Sequence, residues 1–83
     1  MAVDINGLGW EQLIAMRFMR DKLDTEASII AKECDCSWEE LFALVGKGLI
    51  DIGSERIAPK QMHPFITSKG IAVVLEAENQ GII

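Results

Sequence analysis

The chain has 83 residues, 49% of them hydrophobic and 25% charged, which sets the size and composition of one folded domain and excludes a disordered chain. No unbroken apolar run is longer than that of Ile71–Leu75, far short of the roughly 20 residues of a membrane span. The net charge of −5 means that any reading as a nucleic-acid binder must rest on a local cluster of its few Lys and Arg residues.

The start, MAVDINGLGW, has neither a basic segment nor an apolar one behind it, so no signal peptide is expected and a cytoplasmic location is the default. The first predicted helix runs from about Gly9 to Leu23. Trp10, Leu13, Ile14 and Phe18 recur at helical spacing, and Met16, Met19 and Leu23 widen the stripe. Arg17 and Arg20 read as a solvated polar face. Asp24 or Thr25 is expected to cap a second helix, about Thr25 to Glu33, with Ala27, Ile30 and Ala31 as its apolar edge. The triplet Cys34-Asp35-Cys36 is a turn. Ser37 and Glu40 then make the S-x-x-E capping pattern that starts a third helix, Trp38 to about Lys47, bracketed at its end by Gly46 and Gly48.

Leu49–Gly53 alternates apolar and polar residues and reads as a strand. Ser54–Gln61 is a loop. Met62–Ile66 is a second strand candidate, with Pro64 favouring an edge position or a late start. Thr67 caps a fourth helix, Ser68 to Gln80, whose expected buried stripe is Ile71, Val74 and Leu75. Gly81 ends it.

Two runs carry a resemblance. Leu41-x-x-Leu44-x-x-x-Gly48-Leu49-Ile50 turns a helix directly into a strand, and Phe65-Ile66-Thr67-Ser68-Lys69-Gly70 closes a strand and caps a helix. Over about residues 10–80 the chain resembles the winged helix-turn-helix domain of small bacterial regulators, similar to the MarR and ArsR families. The resemblance implies an α+β, mainly α, fold for the single domain 1–83: a three-helix helix-turn-helix core, a two-stranded wing and a C-terminal helix. It places helix 38–47 at the recognition-helix position and loop 54–61 at the wing position.

The chemistry of that helix departs from a DNA reader. With Leu41 and Leu44 inward, the helix presents Glu39, Phe42, Ala43 and Gly46 outward, with Trp38 one turn before Phe42. Helices that read base edges usually offer Arg, Lys, Asn, Gln, Ser or Thr, and two glutamates repel phosphates. Trp38 and Phe42 read either as core or as an apolar patch of the kind that marks a protein contact. The favoured reading is therefore a small non-enzymatic regulatory protein that binds an unidentified protein through Trp38, Glu39, Phe42 and Ala43. The alternative is a DNA-binding regulator, a dimer on double-stranded DNA, using that helix with Lys47, Arg56 and Lys60.

Other chemistry has little to build on. Cys34, Cys36 and His63 fall short of the four ligands of a structural zinc site unless a carboxylate such as Asp35 joins them. The two thiols read as reduced, one of them buried. Gly7-Leu-Gly9 lacks the strand and third glycine of a phosphate-binding fingerprint. No catalytic residue, cofactor or membrane association is expected. Val73 and Ala77, off the expected stripe, together with the apolar Ile82 and Ile83, point to a homodimer through the first and last helices.

Overall fold

The computed structural model describes residues 7–53 and 61–83. In chain order it holds α1 (Trp10–Asp21), α2 (Ala27–Cys34), α3 (Trp38–Gly46), β1 (Ile50–Asp51), β2 (Phe65–Ile66) and α4 (Ser68–Asn79), an α+β arrangement that is mainly α. Helix α1 is the hub: α2, α3, α4 and β2 all pack against it. Among the described residues no helix is long and apolar enough to cross a membrane.

Leu13, Ala15, Met16 and Met19 of α1 are buried with Gln12 beside them. Each fully buried aliphatic side chain of this size stabilises the fold by roughly 1.5–3 kcal/mol. The helix is shorter than its apolar pattern. Lys22 leaves it in an extended conformation and Asp24 takes a left-handed one, φ 60°. Leu23 therefore lies outside the helix and is 75% exposed, and Trp10, in the first turn, is 54% exposed. The expected stripe was too wide at both ends. Arg20 also differs from a merely solvated group: its guanidinium forks onto the Glu78 carboxylate of α4 at 2.6 and 3.1 Å.

Helix α2 begins two residues later than expected. The Thr25 hydroxyl donates back to the Lys22 carbonyl at 3.1 Å and so closes the preceding turn instead of capping a helix. Glu26 holds the cap position without a side-chain bond to the helix amides, and the Ala27 amide is satisfied by the Met62 carbonyl at 2.7 Å. Asp35, left-handed at φ 52°, ends the helix. Both neighbouring thiols, Cys34 and Cys36, are buried, where only one was expected to be.

Strands β1 and β2 pair antiparallel, with Ile50 opposite Ile66 and Asp51 opposite Phe65. They are shorter than the apolar runs around them. Pro64 has no N–H to donate, and Gly53 turns away at φ 74° with its amide on the Asp51 carboxylate at 3.1 Å. Just past the pair, Thr67 ties the sheet to the last helix. Its amide donates to the Leu49 carbonyl at 3.0 Å, its hydroxyl donates to Gly48 O at 2.8 Å, and the same oxygen accepts the Gly70 amide at 3.1 Å.

That junction sets the rotation of α4. Gly70 lies directly on the Leu49 carbonyl, so the face containing it turns inward. At about 100° per residue the inner face then comprises Gly70, Val73, Val74 and Ala77, and Ile71 and Leu75 fall outside it. The expected stripe of Ile71, Val74 and Leu75 keeps only Val74. Val73 and Ala77 are core, so they cannot supply the surface of the dimer read from the sequence. The apolar tail also finds cover: Ile82 and Ile83 pack against the core, and the Ile82 amide donates to Ala77 O at 2.9 Å.

Candidate interaction surface

Helix α3 starts where its capping residues require. The Ser37 hydroxyl accepts the Glu40 amide at 3.2 Å, and the Glu40 carboxylate accepts the Ser37 amide at 3.2 Å. The Ser37 amide, the largest influence, holds the Glu40 carboxyl below its ordinary value near 4.5. Gln12 fixes this first turn to α1. Its amide nitrogen donates to the Glu40 carbonyl at 2.8 Å, and its carbonyl accepts from the Gly9 amide at 2.8 Å, which accounts for a buried polar side chain in the core. Leu41 and Leu44 then anchor the inner face, with Val45 half-buried beside them.

The remaining circumference is the outer surface. Glu39, Ala43 and Gly46 are exposed in a row. Trp38 and Phe42 are half-buried and stacked on one another, ring centres 5.7 Å apart and planes inclined by 23°. The two rings differ in what lies beneath them: Trp38 packs against the buried core, and Phe42 rests on Trp38. The alternatives of core and patch are thus divided between them. The four residues expected to bind a protein, Trp38, Glu39, Phe42 and Ala43, share one helical segment and leave an apolar strip edged by carboxylates.

Of the basic residues expected on a DNA-facing surface, Lys47 is exposed at the C-cap of α3, where its carbonyl accepts from Lys69 Nζ at 3.3 Å. Arg56 and Lys60 lie outside the described residues. No basic side chain stands in the first turn of α3, where Glu39 and Glu40 are.

The cysteines are poorly placed for thiolate chemistry. Burial, with Glu40 and Cys34 adding to it, pushes the Cys36 thiol up to about 12, and burial likewise raises Cys34. Thiolates are the form that attacks and ligates, and burial here disfavours them. His63 instead meets the Asp24 carboxylate at 2.6 Å, joining the start of β2 to the α1–α2 turn. Among the described residues no three His, Cys, Asp or Glu side chains converge as a metal site.

Sequence reasoning missed the exposure of Trp10, Ile71 and Leu75, because periodicity alone counts every apolar residue in a helix as inward. The one available signal was Gly70: a glycine in the first turn of a helix after a strand marks a close backbone approach, and that approach fixes which face is inside. The chain matches no family model, no curated protein and no solved structure.

Proposed function

We propose that this protein is a non-enzymatic winged-helix regulatory module whose α3, at the recognition-helix position, docks on a protein partner and not on DNA. The observation that carries this reading is the outer surface of α3: exposed Glu39 and Ala43 beside the stacked Trp38 and Phe42, with carboxylates in place of phosphate-binding side chains. An apolar centre with a charged rim is the usual anatomy of a protein contact, and the rim sets partner choice. The complementary partner has a shallow apolar groove with Lys or Arg at its edge. The order of three helices, an antiparallel strand pair and a last helix supports the winged-helix assignment.

Exposed Lys47 at the end of α3 favours the second reading, a DNA-binding regulator that adds Arg56 and Lys60 from the wing. One experiment separates the two. A photo-crosslinking amino acid at position 43, irradiated in the native host, is expected to give a protein adduct that disappears on Glu39→Lys. In parallel, random duplex DNA at about 50 mM salt is expected to show no binding, a condition under which phosphate contacts are strongest. Duplex binding that weakens on Arg56→Ala and Lys60→Ala would replace the first reading with the second.

A further inference from the structure

The face of α4 that the fold leaves outside is complementary to itself. Leu75 is 50% exposed and Ile71 36%, one turn apart, and Ala72 between them is also exposed. The core does not use them, since Gly70, Val73, Val74 and Ala77 serve it. Two charges flank this strip on one side. Lys69 and Glu76 are both exposed and lie two turns apart on the same flank. Lys69 reaches the Lys47 carbonyl at 3.3 Å and Glu76 the Gln80 side-chain amide at 2.6 Å, both exposed contacts that water can replace.

We propose that α4 pairs antiparallel with α4 of a second copy of this chain, about a two-fold axis level with the midpoint between Ala72 and Val73. A two-fold axis normal to the plane of two helices keeps like flanks together and reverses their order. Lys69 then faces the partner's Glu76, and Glu76 the partner's Lys69. Ala72, nearest the axis, lets the two backbones approach, and Leu75 covers the small residues Ser68 and Ala72 of the other copy. A parallel pairing, whose two-fold axis runs along the helices, puts like flanks on opposite sides of the interface, so Lys69 and Glu76 of one copy meet neither charge of the other and the two cross-helix ion pairs are lost. A single three-turn face is small for an interface, so the dimer is weak, with a dissociation constant on the order of micromolar or above. No residue of α3 takes part, and the reading of α3 stands or falls separately.

Equilibrium sedimentation of the full chain from about 10 to 500 μM is expected to show the mass rising from monomer toward dimer across the range that such a constant implies. Leu75→Glu is expected to hold the protein monomeric throughout with its melting midpoint unchanged, because Leu75 is outside the core. Lys69→Glu is expected to weaken association about tenfold, and Lys69→Glu combined with Glu76→Lys to restore it. Ala72→Cys is expected to yield a disulfide-linked dimer under mild oxidation, the native thiols being buried. A monomer at every concentration overturns the proposal. So does a dimer that survives Leu75→Glu, and failure of the double charge reversal to restore association overturns the antiparallel register.

Discussion

The carbonyl oxygen of Leu49 occupies the space in which a side chain on Gly70 would have to lie, and the Ile66 side chain closes the same space at 2.7 Å from an added Cβ. The sheet end and the first turn of α4 therefore meet backbone to backbone. Gly70→Ala is expected to destabilise the protein by about 3 kcal/mol or more, since overpacking against rigid backbone relaxes poorly. Gly46 supplies the contrast. It is the last residue of α3, exposed, with nothing within 4 Å of an added Cβ. Gly46→Ala is expected to stabilise by about 0.5 kcal/mol through reduced unfolded-state freedom. Chemical denaturation of both variants reads the two signs directly, and equal effects would show that the close approach at Gly70 is not as described.

The start of α3 gives a second expectation. Ser37→Ala removes the acceptor for the Glu40 amide and is expected to cost about 1 kcal/mol. It leaves the Ser37 amide, the main influence on the Glu40 carboxyl, in place, so the low Glu40 titration should largely survive the substitution. A carbon-13 NMR titration of the Glu40 carboxyl checks this. A return to the ordinary glutamate value in Ser37→Ala would assign the effect to the hydroxyl instead.

The same two groups legible in the sequence, Ser37 and Glu40, show which parts of the fold could be read in advance. A cap depends on residues three apart and needs no knowledge of the rest of the chain, so α3 and α4 start where Ser37 and Thr67 predict. The inward leucines of α3 were legible for a similar reason: Leu41 and Leu44 lie three apart on one face of a helix whose start the cap had already fixed. The buried face of α4 was not. It carries apolar residues almost all round from Ile71 to Leu75, and its rotation is decided by a contact with Leu49, more than twenty residues earlier in the chain. The start of α2 was missed because Thr25 can bond backward to Lys22 as well as forward. For the candidate surface, spacing placed Glu39 and Ala43 outward, but the division of Trp38 and Phe42 between core contact and stacking depends on tertiary packing.

Acid stability follows from two carboxylates. Glu40, held by the Ser37 amide, and Glu78, held by Arg20, both titrate below the ordinary value near 4.5 in the folded protein. In the window between that value and the lower folded ones, the unfolded chain binds more protons than the folded chain, so stability rises with pH there. The contribution is present above the unfolded value and is lost as pH falls through the folded ones. Urea midpoints measured downward from neutral pH are expected to decline most steeply below about pH 4.5, and less steeply in Glu40→Gln and Glu78→Gln. A slope equal to wild type in both variants would assign acid unfolding to other groups.

Arg20 and Glu78 join the first and last helices by a two-pronged contact, with their side chains 25% and 32% exposed. Fork geometry is the arrangement in which such a pair retains value despite solvent. Arg20→Lys keeps the charge and loses the fork, and is expected to lower the melting midpoint nearly as far as Arg20→Ala. A double-mutant cycle with Glu78→Ala isolates the coupling, which should weaken as salt is raised. Additive single-site effects at low salt would mean the contact contributes nothing to holding α1 on α4.

Phe42 and Leu44 sit two residues apart on α3 in opposite circumstances. Leu44 is fully buried, and Leu44→Ala is expected to cost about 2–5 kcal/mol. Phe42 rests on Trp38 at the edge of the core, so Phe42→Ala should cost less than Leu44→Ala, losing a ring pair of about 1 kcal/mol together with the partial burial of one ring. In a Trp10→Phe background the emission of Trp38 reports this directly and is expected to shift to the red as its ring loses cover. Phe42→Glu then tests the surface itself: it should fold, by circular dichroism, and yet remove the crosslink formed from position 43. A Phe42→Glu chain that unfolds would make Phe42 a core residue, and one that folds and still crosslinks would move the docking surface off α3.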